Sequence, residues 1–181
     1  MNIYNFIAYD TDKNLGRAYN NCINLLNDDD WFVFLDHDAM FIRKDWWLYL
    51  KTIIENNSEY DLFTCSTNRI GCPWQLVAGI DRENHDIRYH KHIAKELSER
   101  DLEVVDVTSA SVKLSGVVMV SNKKAWIKVG GAKDGFLGVD NDLHDRYRKN
   151  NMKVGFIPSL YVYHWYRGDG DTSHLNTSKR V

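Results

Sequence analysis

The chain has 181 residues, enough for one domain and short for two. Its 44% hydrophobic and 27% charged residues are ordinary for a globular protein, and at this length roughly 70% of the unfolded surface can be buried. The 23 basic and 25 acidic residues give a net charge of −2, which leaves no basic excess to release counterions and argues against nucleic acid as a partner.

Six Trp and ten Tyr are many for this size. Interfaces and carbohydrate sites use such rings, but core packing is the simpler account. Three cysteines, Cys22, Cys65 and Cys72, are odd in number and widely spaced, which fits neither a disulfide framework nor a zinc cluster. A reducing compartment follows as the expectation. The start Met1-Asn2-Ile3-Tyr4-Asn5 lacks the charged and apolar regions of a signal peptide, and no apolar stretch approaches the ~18 residues of a membrane span. The expected location is therefore cytoplasmic, with a peripheral membrane contact left open.

Along the chain, residues 3–9 are apolar enough for a first strand and 10–14 form a polar loop. Leu15, Tyr19, Cys22, Ile23 and Leu26 recur at helical spacing and stop at the polar turn 27–30. Phe32-Val33-Phe34-Leu35 has the composition of a strand buried on both faces. Asp45 is placed to cap a helix with Trp46, Trp47, Leu50, Ile53 and Ile54 on its apolar face. A short strand is predicted over 61–65, an irregular stretch over 66–92 and a short helix over 90–100. His85, His90 and His92 in that stretch read as solvated. Strands are predicted at 102–107, 116–120, 153–157 and 160–166. Between them lie a helix from Asn122 to Gly130-Gly131 and another over 139–150, with Val139, Leu143 and Tyr147 four residues apart. The tail 167–181 is polar and without periodicity. Strands alternating with helices predict an α/β domain with a mostly parallel sheet flanked by helices.

Three places carry possible chemistry. The strand at 32–35 runs into Asp36-His37-Asp38, which puts two acids at the carboxyl edge of a sheet, where open α/β sheets bind ligands. In an extended segment both carboxylates face one side and His37 the other. Acid pairs are common in exposed loops, but a buried strand leading into one favours compensation by a hard divalent metal and a phosphorylated ligand. Gly138-Val139-Asp140-Asn141-Asp142 opens a helix. Acids in a first turn favour the helix dipole, and Asp142 has Arg146 four residues on. Asp140 has no such partner and is suited to a general base at a pocket rim. His164 ends an aromatic strand, as either a packed histidine or a metal ligand.

The order of these motifs resembles the family 2 glycosyltransferases of the GT-A fold. Asn14-Leu15-Gly16-Arg17-Ala18-Tyr19-Asn20 is similar to the family's helix start after the nucleotide-binding strand. Trp31 to Asp38 resembles its strand ending in Asp-x-Asp. Ser115 to Val120, with the helix up to Gly131, resembles the acceptor-side strand and helix. Gly138 to Leu143, then Arg146, resembles the acidic Glu-Asp-x-Asp-Leu motif, with Val139 where the family has Glu. The match spans residues 3–166, with 167–181 as a tail or lid carrying Arg167 for phosphate and Gly168 and Gly170 for bending. The chain has room for about one strand–helix unit before Asp-x-Asp, where the family has two.

The resemblance implies a metal-dependent transferase moving a sugar from a nucleotide sugar, UDP-sugar foremost, to a carbohydrate or glycolipid acceptor, with inversion. It implies Mn²⁺ or Mg²⁺ on Asp38 and His164, Asp36 on the ribose side, Asp10 toward the base, and Asn14, Arg17, Gly116 and Arg167 around the donor. Asp140 is the implied base. A nucleotidyltransferase on a related fold is the rival enzyme, although Asp10-Thr11-Asp12-Lys13 lacks its glycine-rich loop. A carbohydrate-binding domain using the Trp and Tyr rings is the non-catalytic rival.

Overall fold

The computed structural model describes residues 1–100 and 103–166, so the tail, with Arg167, Gly168 and Gly170, lies outside the described residues. Its elements in chain order are β1 (Ile3–Phe6), α1 (Leu15–Asn24), β2 (Trp31–Leu35), β3 (Ala39–Phe41), α2 (Trp46–Asn56), β4 (Tyr60–Thr67), α3 (Ile87–Ser98), β5 (Val105–Asp106), β6 (Val118–Asn122), α4 (Lys123–Lys128), α5 (Val139–Lys149) and β7 (Lys153–His164). A single 3-10 turn, Pro73–Gln75, interrupts the long connection after β4.

The strands form one seven-stranded sheet in the order β1-β2-β6-β4-β7-β3, with β5 also on β7. The architecture is α/β, as expected, but the sheet is mixed. β1/β2 and β4/β7 pair in parallel, whereas β2/β6, β4/β6, β3/β7 and β5/β7 are antiparallel. The expectation of a mostly parallel sheet is corrected on this point. An apolar run reports burial on both faces and carries no information on direction, so the central strand β6 reads like a parallel one. The expected last two strands are one twelve-residue strand, with a register shift against β4 between Cys65 and Ser66. β3, three residues long, had no periodic signal.

Alternation along β2 divides the core. Phe32 and Phe34 face a layer with Tyr19 and Ile23 of α1, Trp126 of α4, and Leu143 and Tyr147 of α5. Val33 and Leu35 face the opposite layer, where α2 contributes Leu50, Ile53 and Ile54. α3 covers β7 through Ile93, Ala94, Leu97 and Tyr161. His90 is corrected from solvated to fully buried, with Nδ1 2.8 Å from the Tyr161 hydroxyl and Nε2–H donating to the Asn84 carbonyl at 2.7 Å. Asp45 sits at the N-cap of α2 but makes no capping hydrogen bond, because its carboxylate is taken by Arg43 at 2.8 Å.

The pairings make β1, β2, β4 and β7 run in one direction. Their carboxyl ends therefore share one edge of the sheet, together with the segment that enters β6.

Candidate metal and ligand cleft

A cleft of about 700 Å³ opens at that shared edge. Of the residues singled out in the sequence, Asp10, Asp36, Asp38, Gly116, Asp140 and His164 line it, whereas Asn14 and Arg17 do not. His37, expected to point away, also lines it. Tyr9, Lys13, Phe136, Leu137 and Trp165 also line it and had not been singled out as site residues.

Asp36 to Asp38 form a tight turn rather than an extended segment, closed by the Ala39 N–H donating to the Asp36 carbonyl at 3.1 Å. The turn is pinned on both sides. Asp36 N–H donates to the Val117 carbonyl at 3.1 Å, and Trp165 N–H donates to the Asp38 carbonyl at 2.9 Å. Both carboxylates nevertheless reach His164, whose Nε2 lies 3.2 Å from Asp38 Oδ1 and 3.7 Å from Asp36 Oδ2. One ligand atom from each of the three residues falls within 4.8 Å of the others.

The buried His164 is held from the end of β4. Asn68 clamps its backbone, accepting the His164 N–H at 2.8 Å and donating to the His164 carbonyl at 3.1 Å. The ring Nδ1 lies 2.8 Å from the Arg69 carbonyl. A carbonyl oxygen only accepts, so Nδ1 carries the proton, and Nε2 is turned toward the two carboxylates. That is the arrangement by which a backbone carbonyl fixes a metal-ligating imidazole. When protonated, His164 is itself the cation between the two carboxylates; with Nε2 unprotonated, the same oxygen–nitrogen donor set suits Mn²⁺ or Mg²⁺. The residues present fit such an ion.

Electrostatics set the two acids apart. Burial pushes the Asp36 carboxyl up to about 6, opposed by the charge of His164 and reinforced by Asp38 and Asp140. Burial also raises Asp38, but the His164 hydrogen bond and charge outweigh it and hold that carboxyl below its ordinary range.

Asp140 stands in the first turn of α5, beyond Gly138, whose φ of 72° ends the preceding loop. Its Oδ2 accepts the Gly116 N–H at 2.7 Å and its Oδ1 the Asn141 N–H at 2.9 Å. A Cβ on residue 116 would stand 3.0 Å from the Asp140 Cβ, a contact so tight that Asp140 would have to give by a few tenths of an ångström. Buried Gln75 fixes this segment, accepting the Ser115 N–H at 2.7 Å and donating to the Ser115 carbonyl at 3.1 Å. Asn141 adds a hydrogen bond to the Leu114 carbonyl at 2.9 Å. Burial raises the Asp140 carboxyl, with the Asn141 and Gly116 N–H groups opposing.

Asn14 and Arg17 have other partners. Asn14 Oδ1 accepts the Arg17 N–H and the Gly135 N–H, each at 3.0 Å, capping α1 and tying it to the loop before α5. Arg17 grips Asp10 through Nε at 2.7 Å and Nη2 at 2.8 Å, and reaches Asp12 at 2.6 Å. Asn20 donates to the Ala132 carbonyl at 2.7 Å and accepts from Trp126 Nε1 at 3.0 Å. Asn14, Arg17 and Asn20 thus support the cleft indirectly, while Leu15 and Tyr19 of the same motif line it. Asn68, Gln75 and Ser115 were missed as positioning residues. Asn68 directly follows β4, but Gln75 lies in the 3-10 turn and Ser115 ahead of β6, where no local pattern marks them.

No protein-family model matches the chain, and no curated protein matches it either. No helix among the described residues is long and apolar enough to cross a membrane.

Proposed function

We propose that this is a minimal GT-A glycosyltransferase, which binds a nucleoside-diphosphate sugar with Mn²⁺ or Mg²⁺ in the cleft and transfers the sugar to an acceptor hydroxyl. The observation that carries the reading is the convergence of Asp36, Asp38 and His164 at the carboxyl edge of four co-directed strands, with the His164 proton tied to the Arg69 carbonyl. Asp38 and His164 hold the ion, with Asp36 beside them on the ribose side. When bound, the divalent ion neutralises the charge that develops on the diphosphate leaving group.

The protein's own groups do the rest. Asp140, raised by burial and aimed by the Gly116 N–H, takes the proton of the acceptor hydroxyl. The acceptor oxygen bonds to the anomeric carbon as the bond to the diphosphate oxygen breaks, and attack on the opposite face inverts that centre. Asp10, Tyr9 and Lys13 line the part of the cleft left for the nucleoside, and Asp10 is held in place by Arg17. UDP-sugars are the favoured donors, with a carbohydrate or glycolipid as acceptor.

The test is incubation with UDP-, GDP- and dTDP-sugars, with and without Mn²⁺, read by thermal shift and by the diphosphate product. Metal-dependent release of nucleoside diphosphate is expected. Release of pyrophosphate from a nucleoside triphosphate and a sugar phosphate would assign a nucleotidyltransferase instead.

A further inference from the structure

Tyr19 stands on the face of α1 that lines the cleft, one turn after Leu15. The side chain is buried, at 4% exposure. Its ring centroid lies 4.2 Å from that of Phe34, and it meets Trp126 edge to face at 6.3 Å. The helix beneath it is anchored as well. Asn14 accepts the Gly135 N–H, and Asn20 accepts from both Trp126 Nε1 and the Ala132 N–H. The phenol therefore reaches the cleft from one fixed position, which leaves little ordering cost for a ligand that meets it.

The hydroxyl at its tip has no partner. Buried tyrosine hydroxyls are as a rule hydrogen-bonded. Those of Tyr147, Tyr161 and Tyr163 are, to Ser121 at 2.7 Å, to His90 at 2.8 Å and to His85 at 2.8 Å. Tyr19 makes no hydrogen bond among the described residues, and its oxygen is open to the cleft rather than sealed in the core. Burial raises this hydroxyl well above its ordinary range, and the charges of Asp36, Asp140 and Cys22 raise it further. It is therefore an O–H donor at neutral pH, within electrostatic reach of the two acids to which the cleft gives its chemistry.

The chemistry of these three groups selects what can sit among them. The carboxylates of Asp36 and Asp140 only accept, and the Tyr19 O–H is free to donate. A phosphate oxygen would accept from Tyr19 but would add negative charge beside two acids. An aliphatic hydroxyl accepts from the phenol through a lone pair and donates its own proton to a carboxylate, so it satisfies both kinds of group at once. We propose that Tyr19 is a specificity-determining residue, which donates to one hydroxyl of the transferred sugar and so selects donors that carry that hydroxyl. The proposal rests on the transferase reading of the cleft. It adds that the sugar lies against α1, between the metal cluster and Asp140.

The test takes whichever of UDP-glucose, UDP-galactose, GDP-mannose and dTDP-glucose the full chain turns over with Mn²⁺, read as nucleoside diphosphate release, together with the 2-, 3-, 4- and 6-deoxy analogues of that donor. Tyr19→Phe keeps the ring on Phe34 and Trp126 and removes a group that bonds nothing within the protein, so its melting temperature should match the wild type. With the parent donor, kcat/KM should fall about tenfold in Tyr19→Phe, as loss of one neutral hydrogen bond does. With one deoxy analogue, wild type should show that same fall and Tyr19→Phe should show no further loss, while affinity for the nucleoside diphosphate stays unchanged in both. Wild type alone thus gives a second reading that does not depend on the variant. The proposal is overturned if folded Tyr19→Phe matches wild type, if its loss is equal on the parent and all four analogues, if wild type uses every analogue as well as the parent, or if nucleoside diphosphate affinity falls with the hydroxyl. Each of these leaves the transferase reading standing. A wild type that turns over none of the donors removes that reading and this inference together.

Discussion

Gly16 in the first turn of α1 packs directly on Lys133, so that a Cβ at residue 16 would stand 1.8 Å from the Lys133 carbonyl oxygen. The obstacle is backbone, fixed in turn by the Gly16 N–H donating to the Gly135 carbonyl at 3.1 Å. Gly16→Ala must therefore separate α1 from the loop that leads to Asp140. It is expected to destabilise the protein by about 3 kcal/mol in urea denaturation. Gly71→Ala is the control. Its new methyl would meet nothing closer than 3.8 Å, and its effect should stay within about 0.5 kcal/mol.

The proposed metal site makes its own prediction. An ion that binds only the folded state stabilises it by about 2.7 kcal/mol at a hundred times its dissociation constant, which for a domain of this size raises the melting temperature by about 5–10 °C. Mn²⁺ should produce such a shift in the wild type. Asp38→Ala removes the carboxylate nearest His164 and should abolish it. A shift that survives in Asp38→Ala would place the ion elsewhere.

Asp140→Asn keeps one oxygen to accept the Gly116 N–H, gives up the bond that Oδ1 accepts from the Asn141 N–H and removes the capacity to take a proton. Sugar transfer should fall about 10²–10⁴-fold while affinity for the nucleoside diphosphate in calorimetry stays at the wild-type value. Transfer at the wild-type rate would remove Asp140 from the role of base.

Much of this was legible in the sequence because it is written locally. The strand 31–35, the helix after Asn14 and the cap at Asn122, whose side chain accepts the Ala125 N–H at 2.8 Å, follow from runs, spacing and capping chemistry within a few residues. The direction of β6 does not, because both layers bury it equally whichever way it runs. His90 looked solvated because its partner, Tyr161, lies 71 residues away and its neighbours are charged. The same distance problem hid the tautomer of His164, which is set by the Arg69 carbonyl across more than ninety residues. The Asn14–Asn20 motif was visible, but its partners in 126–135 were not.

The Arg17–Asp10 pair predicts how stability responds to acid. Arg17 holds the Asp10 carboxyl at about 2, below its ordinary 3.8, chiefly through the side-chain hydrogen bond, against an opposing effect of burial and with help from the Asp12 and Asn14 N–H groups. A carboxyl depressed in the folded state binds protons more readily when unfolded. Its stabilising contribution is therefore complete above about pH 5 and is lost as pH falls through about 4 toward about 2. Arg17→Ala removes the main cause of the shift. The stability difference between wild type and Arg17→Ala, measured by urea denaturation at a series of pH values, should be constant from neutrality down to about pH 5 and then shrink toward zero near pH 2. The pair is partly exposed, with Arg17 at 44%, so salt should reduce the difference on the neutral side as well. A difference that persists undiminished at pH 2 would mean that Arg17 acts through its packing on α1 and not through the Asp10 carboxylate.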